Sequence, residues 1–382
     1  MTGQGPLKLG MVGGGNDAFI GAVHRIAARI DGEFTLVAGA LSSTPERARA
    51  SGAALGLAED RIYDDFKAMA IREARLKEGI DAVAIVTPNH MHYPAAREFL
   101  KRGIHVICDK PLTATLSEAK KLVKAAQESE ALFVLTHNYT GYPMIRQARQ
   151  MIAEGALGDL RVVQAEYPQD WLTEAEEAQD NKQAEWRTDP ARSGAGGCVG
   201  DIGTHAFNLL SFVTGLKTES LAADLQTFVP GRRLDDNVHV MMRFNGGARG
   251  MLWSSQVAPG NENALKLRVY GSKGGLEWAQ EDPNYLWFTP FGEPKRLLTR
   301  GGVGATGVAE RLTRTPGGHP EGYLEGFANI YSEAATAIRA KNAGDPLPGD
   351  LHFPTVEDGL AGEQFIDACV RSSNRNGAWT SF

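Results

Sequence analysis

The chain has 382 residues, 42% of them hydrophobic and 23% charged, with a formal net charge of −6. That length exceeds the roughly 250–300 residues that one core sustains, so two domains are expected. The acidic balance argues against nucleic acid or anionic membrane as partner, and no apolar run approaches the roughly 20 residues of a membrane span.

The first third alternates short apolar strands with helical segments. Strand-like runs cover 7–12, 34–41, 81–86, 105–108 and 132–136, and helix-patterned stretches include 20–30, 46–55, 94–102 and 117–128. Thr44 before Pro45 and Thr115 before Leu116 stand where helix-capping residues belong. Near-continuous apolar strands between helices imply a parallel sheet covered on both faces, here over about residues 1–137. The pattern then changes. A helix near 143–154 and a strand at 160–166 lead into a long polar segment, 168–193, that carries Trp171, Trp186 and Arg187. From 221 to 291 successive strands separated by Gly/Asn/Pro turns imply a mostly antiparallel sheet. A Gly/Thr/Arg-rich loop at 299–320 precedes helices at 323–341 and about 355–372. The expected architecture is α/β, with a dinucleotide-type domain at 1–137 and a second α/β domain at 138–382. Cys108, Cys198 and Cys369 lie far apart, so neither a disulfide framework nor a metal site is expected. With no signal-like pattern in the first six residues, the expectation is a reduced, cytoplasmic protein.

Three stretches carry chemistry. The run Gly13-Gly14-Gly15-Asn16-Asp17-Ala18-Phe19-Ile20-Gly21 follows the first strand and opens a helix. Glycines there let the backbone approach a pyrophosphate, which meets the amides of the helix N-terminus. Two registers fit: Gly13-x-Gly15-x-x-Ala18, or Gly13, Gly15 and Gly21 with three residues inserted. No Asp or Glu closes the second strand, where Ser42, Ser43 and Arg47 stand instead. Arg47 either accepts a 2′-phosphate or is a solvated helix residue, so the cofactor is written NAD(P). Cys108-Asp109-Lys110-Pro111 sets a lysine at a strand's carboxyl end, where open α/β sheets bind ligands, and its proline is a candidate for a cis bond. Finally, Asp201 and His205 are spaced i, i+4, on one face if the helix has begun by Asp201; otherwise Asp201 caps that helix.

Together with Thr87-Pro88-Asn89-His90-Met91-His92, these motifs resemble the glucose–fructose oxidoreductase / inositol dehydrogenase / MocA family over nearly the whole chain. The family's Glu-Lys-Pro is Asp109-Lys110-Pro111 here, and the glycine turn is longer than usual. The resemblance implies a Rossmann domain, an open-faced α/β domain, an active site between them and a homo-oligomer, dimer or tetramer. It implies hydride transfer between a nicotinamide and a sugar or cyclitol, with Lys110 and His205 as acid–base pair and Asp201 as substrate ligand or their partner. A lysine serves as a base where burial and positive neighbours lower its pKa, and histidine titrates in the useful range already.

Candidate cofactor contacts are the turn residues together with Thr87, Pro88, Asn89, His92, Asp109, Lys110 and Asn138. For His92 a packing role at a helix start is an equal alternative. Candidate substrate contacts are Lys110, Tyr139, Trp171, Trp186, Arg187, Asp201, His205 and His319. Aromatic faces suit sugar C–H surfaces, and a guanidinium suits hydroxyls or an anion. For Trp171, Trp186 and Arg187 the alternatives are lid packing or a subunit contact, for Tyr139 domain-junction packing, for His205 a satisfied core histidine and for His319 a capped helix start. Two further readings stand beside dehydrogenation: glycoside cleavage or epimerisation through transient oxidation, and a non-catalytic sugar or nucleotide sensor.

Overall fold

Five short strands, three of them buried along their whole length, build the first sheet of the computed structural model, which describes residues 5–16, 18–179 and 181–382. In chain order the elements are β1 (Leu7–Gly13), α1 (Phe19–Ile30), β2 (Phe34–Ala40), α2 (Pro45–Ala54), α3 (Phe66–Glu73), β3 (Ala82–Val86), α4 (His92–Leu100), β4 (His105–Cys108), α5 (Leu116–Gln127) and β5 (Phe133–Leu135). All pairings are parallel, in the order β2-β1-β3-β4-β5. The strand order reverses beside β1, the crevice where doubly wound sheets take their ligands. Every residue of β3 and β4 is buried, as a sheet covered on both faces requires. Thr115 caps α5, its hydroxyl accepting from the Glu118 amide at 3.2 Å. Thr44 stands at the N-cap of α2 without such a bond, and Pro45 there needs no amide partner. The patterning missed α3, a short helix held at its start by Asp65, which accepts from the amides of Lys67 and Ala68.

The remaining elements are α6 (Pro143–Ala153), β6 (Leu160–Pro168), α7 (Lys182–Arg187), α8 (Pro190–Ser193), α9 (Thr204–Thr214), β7 (Thr218–Gln226), β8 (Asn237–Phe244), β9 (Arg249–Ser255), β10 (Lys266–Gly271), β11 (Gly274–Ala279), β12 (Tyr285–Pro290), β13 (Arg296–Thr299), α10 (Gly307–Arg311), α11 (Tyr323–Ala343), α12 (Val356–Ser373) and β14 (Thr380–Ser381). Nine strands form one sheet in the order β13-β12-β11-β10-β6-β9-β8-β7-β14, antiparallel except for β6 with β9. In β8 Val238, Val240, Met242 and Phe244 are buried while His239 and Met241 are exposed, the alternation of a sheet covered on one face. The covered face packs against α6 and α9 through Ile145, Leu209 and Leu210.

The chain divides into two compact units, 1–138 with 323–360 and 139–322 with 361–382. A second domain running unbroken from 138 to 382 therefore does not describe this division. Helix α11 belongs to the first unit because Phe327, Ile330, Tyr331, Ala334 and Ile338 share a core with Val23, Ala27 and Ala28 of α1. Among the described residues no helix is long and apolar enough to cross a membrane. The three cysteines are buried and free of disulfides.

Candidate active site

In the first unit the glycine turn closes tightly on α1. Gly13 and Gly14 have φ of 77° and 70°, a conformation that favours glycine. A Cβ on Gly21 would stand 2.4 Å from the Gly14 Cα, so turn and helix touch backbone to backbone. That approach is what the third glycine of a dinucleotide fingerprint supplies, and it selects the register Gly13, Gly15, Gly21 with 16–18 inserted. Asp17 lies outside the described residues. Ala18 is the N-cap of α1 and offers no side-chain acceptor, which leaves the first-turn amides to meet an anion. Ser51 on α2 steadies the turn by accepting from the Asn16 amide at 3.2 Å. Phe19 is exposed and stacks on Tyr323, and Ile20 is half-buried.

Beyond β2, Ser42 turns its hydroxyl to the Thr44 amide at 3.1 Å, while Ser43 and Arg47 are exposed. Beyond β3, Thr87 and Pro88 are half-buried and Asn89 is buried. His92 is fully buried, with Nδ1 2.7 Å from the Pro111 carbonyl oxygen and Nε2 2.8 Å from that of Thr87. Both ring nitrogens face backbone carbonyls, so the ring ties two loops together, as the packing alternative for this position has it.

The stretch after β4 holds a half-buried charged pair, Asp109 and Lys110. Lys110–Pro111 is a cis peptide. The Asp109 carboxylate accepts from the Lys110 amide and the Thr136 hydroxyl, each at 3.0 Å, and lies 3.8 Å from Nε2 of His24. Nδ1 of His24 meets the Tyr331 hydroxyl at 2.9 Å. Burial pushes the Asp109 carboxyl up, yet His24, Lys110 and His92 outweigh it and hold the group at about 2. His137 is pushed down to about 3 by burial and by the charge of Lys110. Asn138 is 1% exposed, and its Nδ2 has no hydrogen-bond partner among the described residues. Glycines at positive φ, uncapped helix amides and this orphaned donor fit a dinucleotide.

In the second unit the winding that carries Asp201 opens as a π-helical turn, Val199–Gly203, and runs on into α9. The helix has thus begun before Asp201, which meets the condition for Asp201 and His205 to share a face. Asp235 clamps the opening: its carboxylate accepts from the amides of Gly197 at 2.6 Å and Val199 at 2.8 Å. His205 is 8% exposed, with the Tyr139 and Tyr167 rings edge-on at 4.9 and 6.2 Å. The Tyr139 and Tyr167 hydroxyls bond each other, and burial raises the pKa of Tyr139. One oxygen of Asp201 accepts from Gln256 at 2.9 Å and lies 3.3 Å from the Nε of Arg187. The Arg187 guanidinium packs 4.3 Å from the Trp186 ring and 6.0 Å from that of Trp171.

Trp171, Trp186, Arg187, Asp201, Tyr139 and His205 thus fall into two adjoining groups, bridged by Asp201 and its helix. His319 does not join them. It is exposed, and its Nδ1 faces the Pro316 carbonyl in a loop organised by Glu321, which accepts from Arg300 and from the amides of Arg314 and Thr315. Sequence reasoning missed Ser51, Asp235 and Gln256, none of which stands in a local motif.

Two family models match. Residues 7–137 match the NAD-binding Rossmann fold of an oxidoreductase family, and residues 145–277 match the GFO/IDH/MocA C-terminal domain. An oxidoreductase structure from Sinorhizobium meliloti is 65% identical with a TM-score of 0.90, covering 99% of this chain and 100% of that one. An inositol dehydrogenase homologue from Azotobacter vinelandii, solved with NADH and myo-inositol, is 38% identical with a TM-score of 0.93, covering 99% and 98%. Levoglucosan dehydrogenase of Pseudarthrobacter phenanthrenivorans is 28% identical over 72% of this chain and 74% of its own length.

Proposed function

The chain belongs to the GFO/IDH/MocA family of NAD-binding oxidoreductases, and from that premise we propose that it oxidises a secondary alcohol of a cyclitol or sugar. The observation that carries the reading is the 38% identity, over nearly the whole chain, to a homologue solved with NADH and myo-inositol. A bound nicotinamide would supply the acceptor for the carbinol hydride, and the hydroxyl proton would pass to a protein base. Gly13, Gly14, Gly15, Asn16, Ala18, Phe19 and Ile20 would hold the pyrophosphate, Ser42, Ser43 and Arg47 would serve the adenosine ribose, and Thr87, Pro88, Asn89, Asp109 and Asn138 would serve the nicotinamide half. Lys110 and His205 exchange the hydroxyl proton. Asp201 accepts a hydrogen bond from a substrate hydroxyl and so orients the ring. Tyr139, Trp171 and Trp186 offer ring faces to substrate C–H groups. The absence of an acid at the tip of β2 leaves both NAD and NADP within reach. The reading includes a homo-oligomer working in the cytoplasm, consistent with three unpaired cysteines.

A panel of inositols, monosaccharides and anhydrosugars, offered with NAD and NADP and read at the nicotinamide absorbance band, tests the activity. Lys110→Ala and His205→Ala each lower kcat by roughly 10²–10⁴ while cofactor affinity holds within about threefold. Wild-type turnover in both variants defeats the assignment, and glycoside hydrolysis without net NAD(P)H points instead to transient oxidation.

A further inference from the structure

The sequence offers Arg187 as a substrate ligand, but its guanidinium is committed elsewhere. Its Nε lies 3.3 Å from Asp201 Oδ2, the same oxygen that accepts from Gln256. Its Nη1 donates to the Gln183 side chain at 2.6 Å, and its flat face packs on Trp186 with Trp171 beyond. Arg187 is the last residue of α7, a short helix started by Asn181, which accepts from the amides of Gln183 and Ala184. A planar cation held by a stacked ring, a side-chain acceptor and a carboxylate has few rotamers left to lose. It costs little further entropy to keep Asp201 in one orientation. Gln256 reaches the same oxygen from the residue just past β9. Asp201 is thereby fixed by neutral and charged donors from two separate elements.

We propose that Arg187 is a positioning residue for the reaction: it acts through Asp201, holding that carboxylate in the orientation that meets a substrate hydroxyl. This rests on the reading of Asp201 as the substrate-hydroxyl acceptor. A lysine cannot replace Arg187, since it lacks both the planar face for Trp186 and the second nitrogen for Gln183.

The test is a double-mutant cycle on the full-length protein with the best polyol from the panel. Arg187→Met raises the polyol KM roughly tenfold and changes kcat and the cofactor KM less than about threefold. Arg187→Lys recovers less than half of that loss. Asp201→Asn is impaired on its own, and adding Arg187→Met to it changes kcat/KM by less than about twofold. Guanidinium chloride at millimolar concentration restores part of the activity of Arg187→Ala and none of that of Asp201→Asn. Effects that multiply in the double variant, or no guanidinium rescue, overturn the proposal and return Arg187 to a direct substrate or packing role. Should the panel yield no activity, the contact is still tested by tryptophan emission. Asp201→Asn and Arg187→Met shift it alike, the shift vanishes in a Trp186→Phe background, and an unmoved emission in Asp201→Asn refutes the pairing.

Discussion

Asp235 offers the sharpest test of how the helix bearing Asp201 and His205 is held. Its carboxylate accepts from the amides of Gly197 and Val199 and is 7% exposed. Burial drives its pKa up from 3.8 to about 6, against the pull of those two amides, with the charge of Asp236 adding to the rise. The folded state therefore binds this proton more tightly than the unfolded chain. Stability from the group is complete below about pH 3.8 and is lost as pH rises through 6. The interval spans roughly two pH units at about 1.4 kcal/mol each, so about 3 kcal/mol in all. Between pH 4.5 and 7.5 about 2 kcal/mol of it is expressed. Asp235→Asn abolishes the titration and turns an amide N–H₂ toward one backbone amide, which costs about 1–3 kcal/mol at every pH. The variant's deficit relative to wild type is then about 2 kcal/mol larger at pH 4.5 than at 7.5. All six tryptophans lie in the second unit, so urea unfolding followed by tryptophan fluorescence reports on the unit that contains Asp235. A deficit independent of pH, or larger at pH 7.5, refutes the reasoning.

Other outcomes follow from the same contacts. Gly21→Ala drives a methyl into Gly14, costs about 1–3 kcal/mol and weakens NADH binding at least roughly tenfold, measured by nucleotide fluorescence titration. His137 is depressed to about 3, so its contribution is complete above pH 6.5 and lost as pH falls toward 3. That amounts to about 5 kcal/mol, and His137→Phe should flatten acid destabilisation of the first unit, read by hydrogen exchange at β5.

The parallel sheet is legible because β3 and β4 are apolar throughout, a pattern that helices on both faces impose. The strand runs of the second sheet are legible through alternation, as in β8. Short elements are not: α7 and α8 have six and four residues and no apolar stripe, so the polar segment around them reads as loop. At the site, Asp201 and His205 announce themselves by spacing. Their supports do not, since Asp235 and Gln256 act across 36 and 55 residues through a fold that must form first. His92 shows the limit from the other side. Its position after a strand end suits a ligand, and only burial reveals a ring occupied by two carbonyls. The shortened acid of Asp109-Lys110-Pro111 likewise looks like a bare departure until His24 and Thr136 are found around it.

Helix α11 sets an order of events in the life of the chain. It seals the outer flank of α1, and Tyr331 within it reaches His24. A ribosome emits α1 some three hundred residues before that cover exists. Until then Val23, Ala27 and Ala28 face water, and the turn beside them rests on an unfinished core. The nucleotide-binding unit thus closes its core only after α11 has been made.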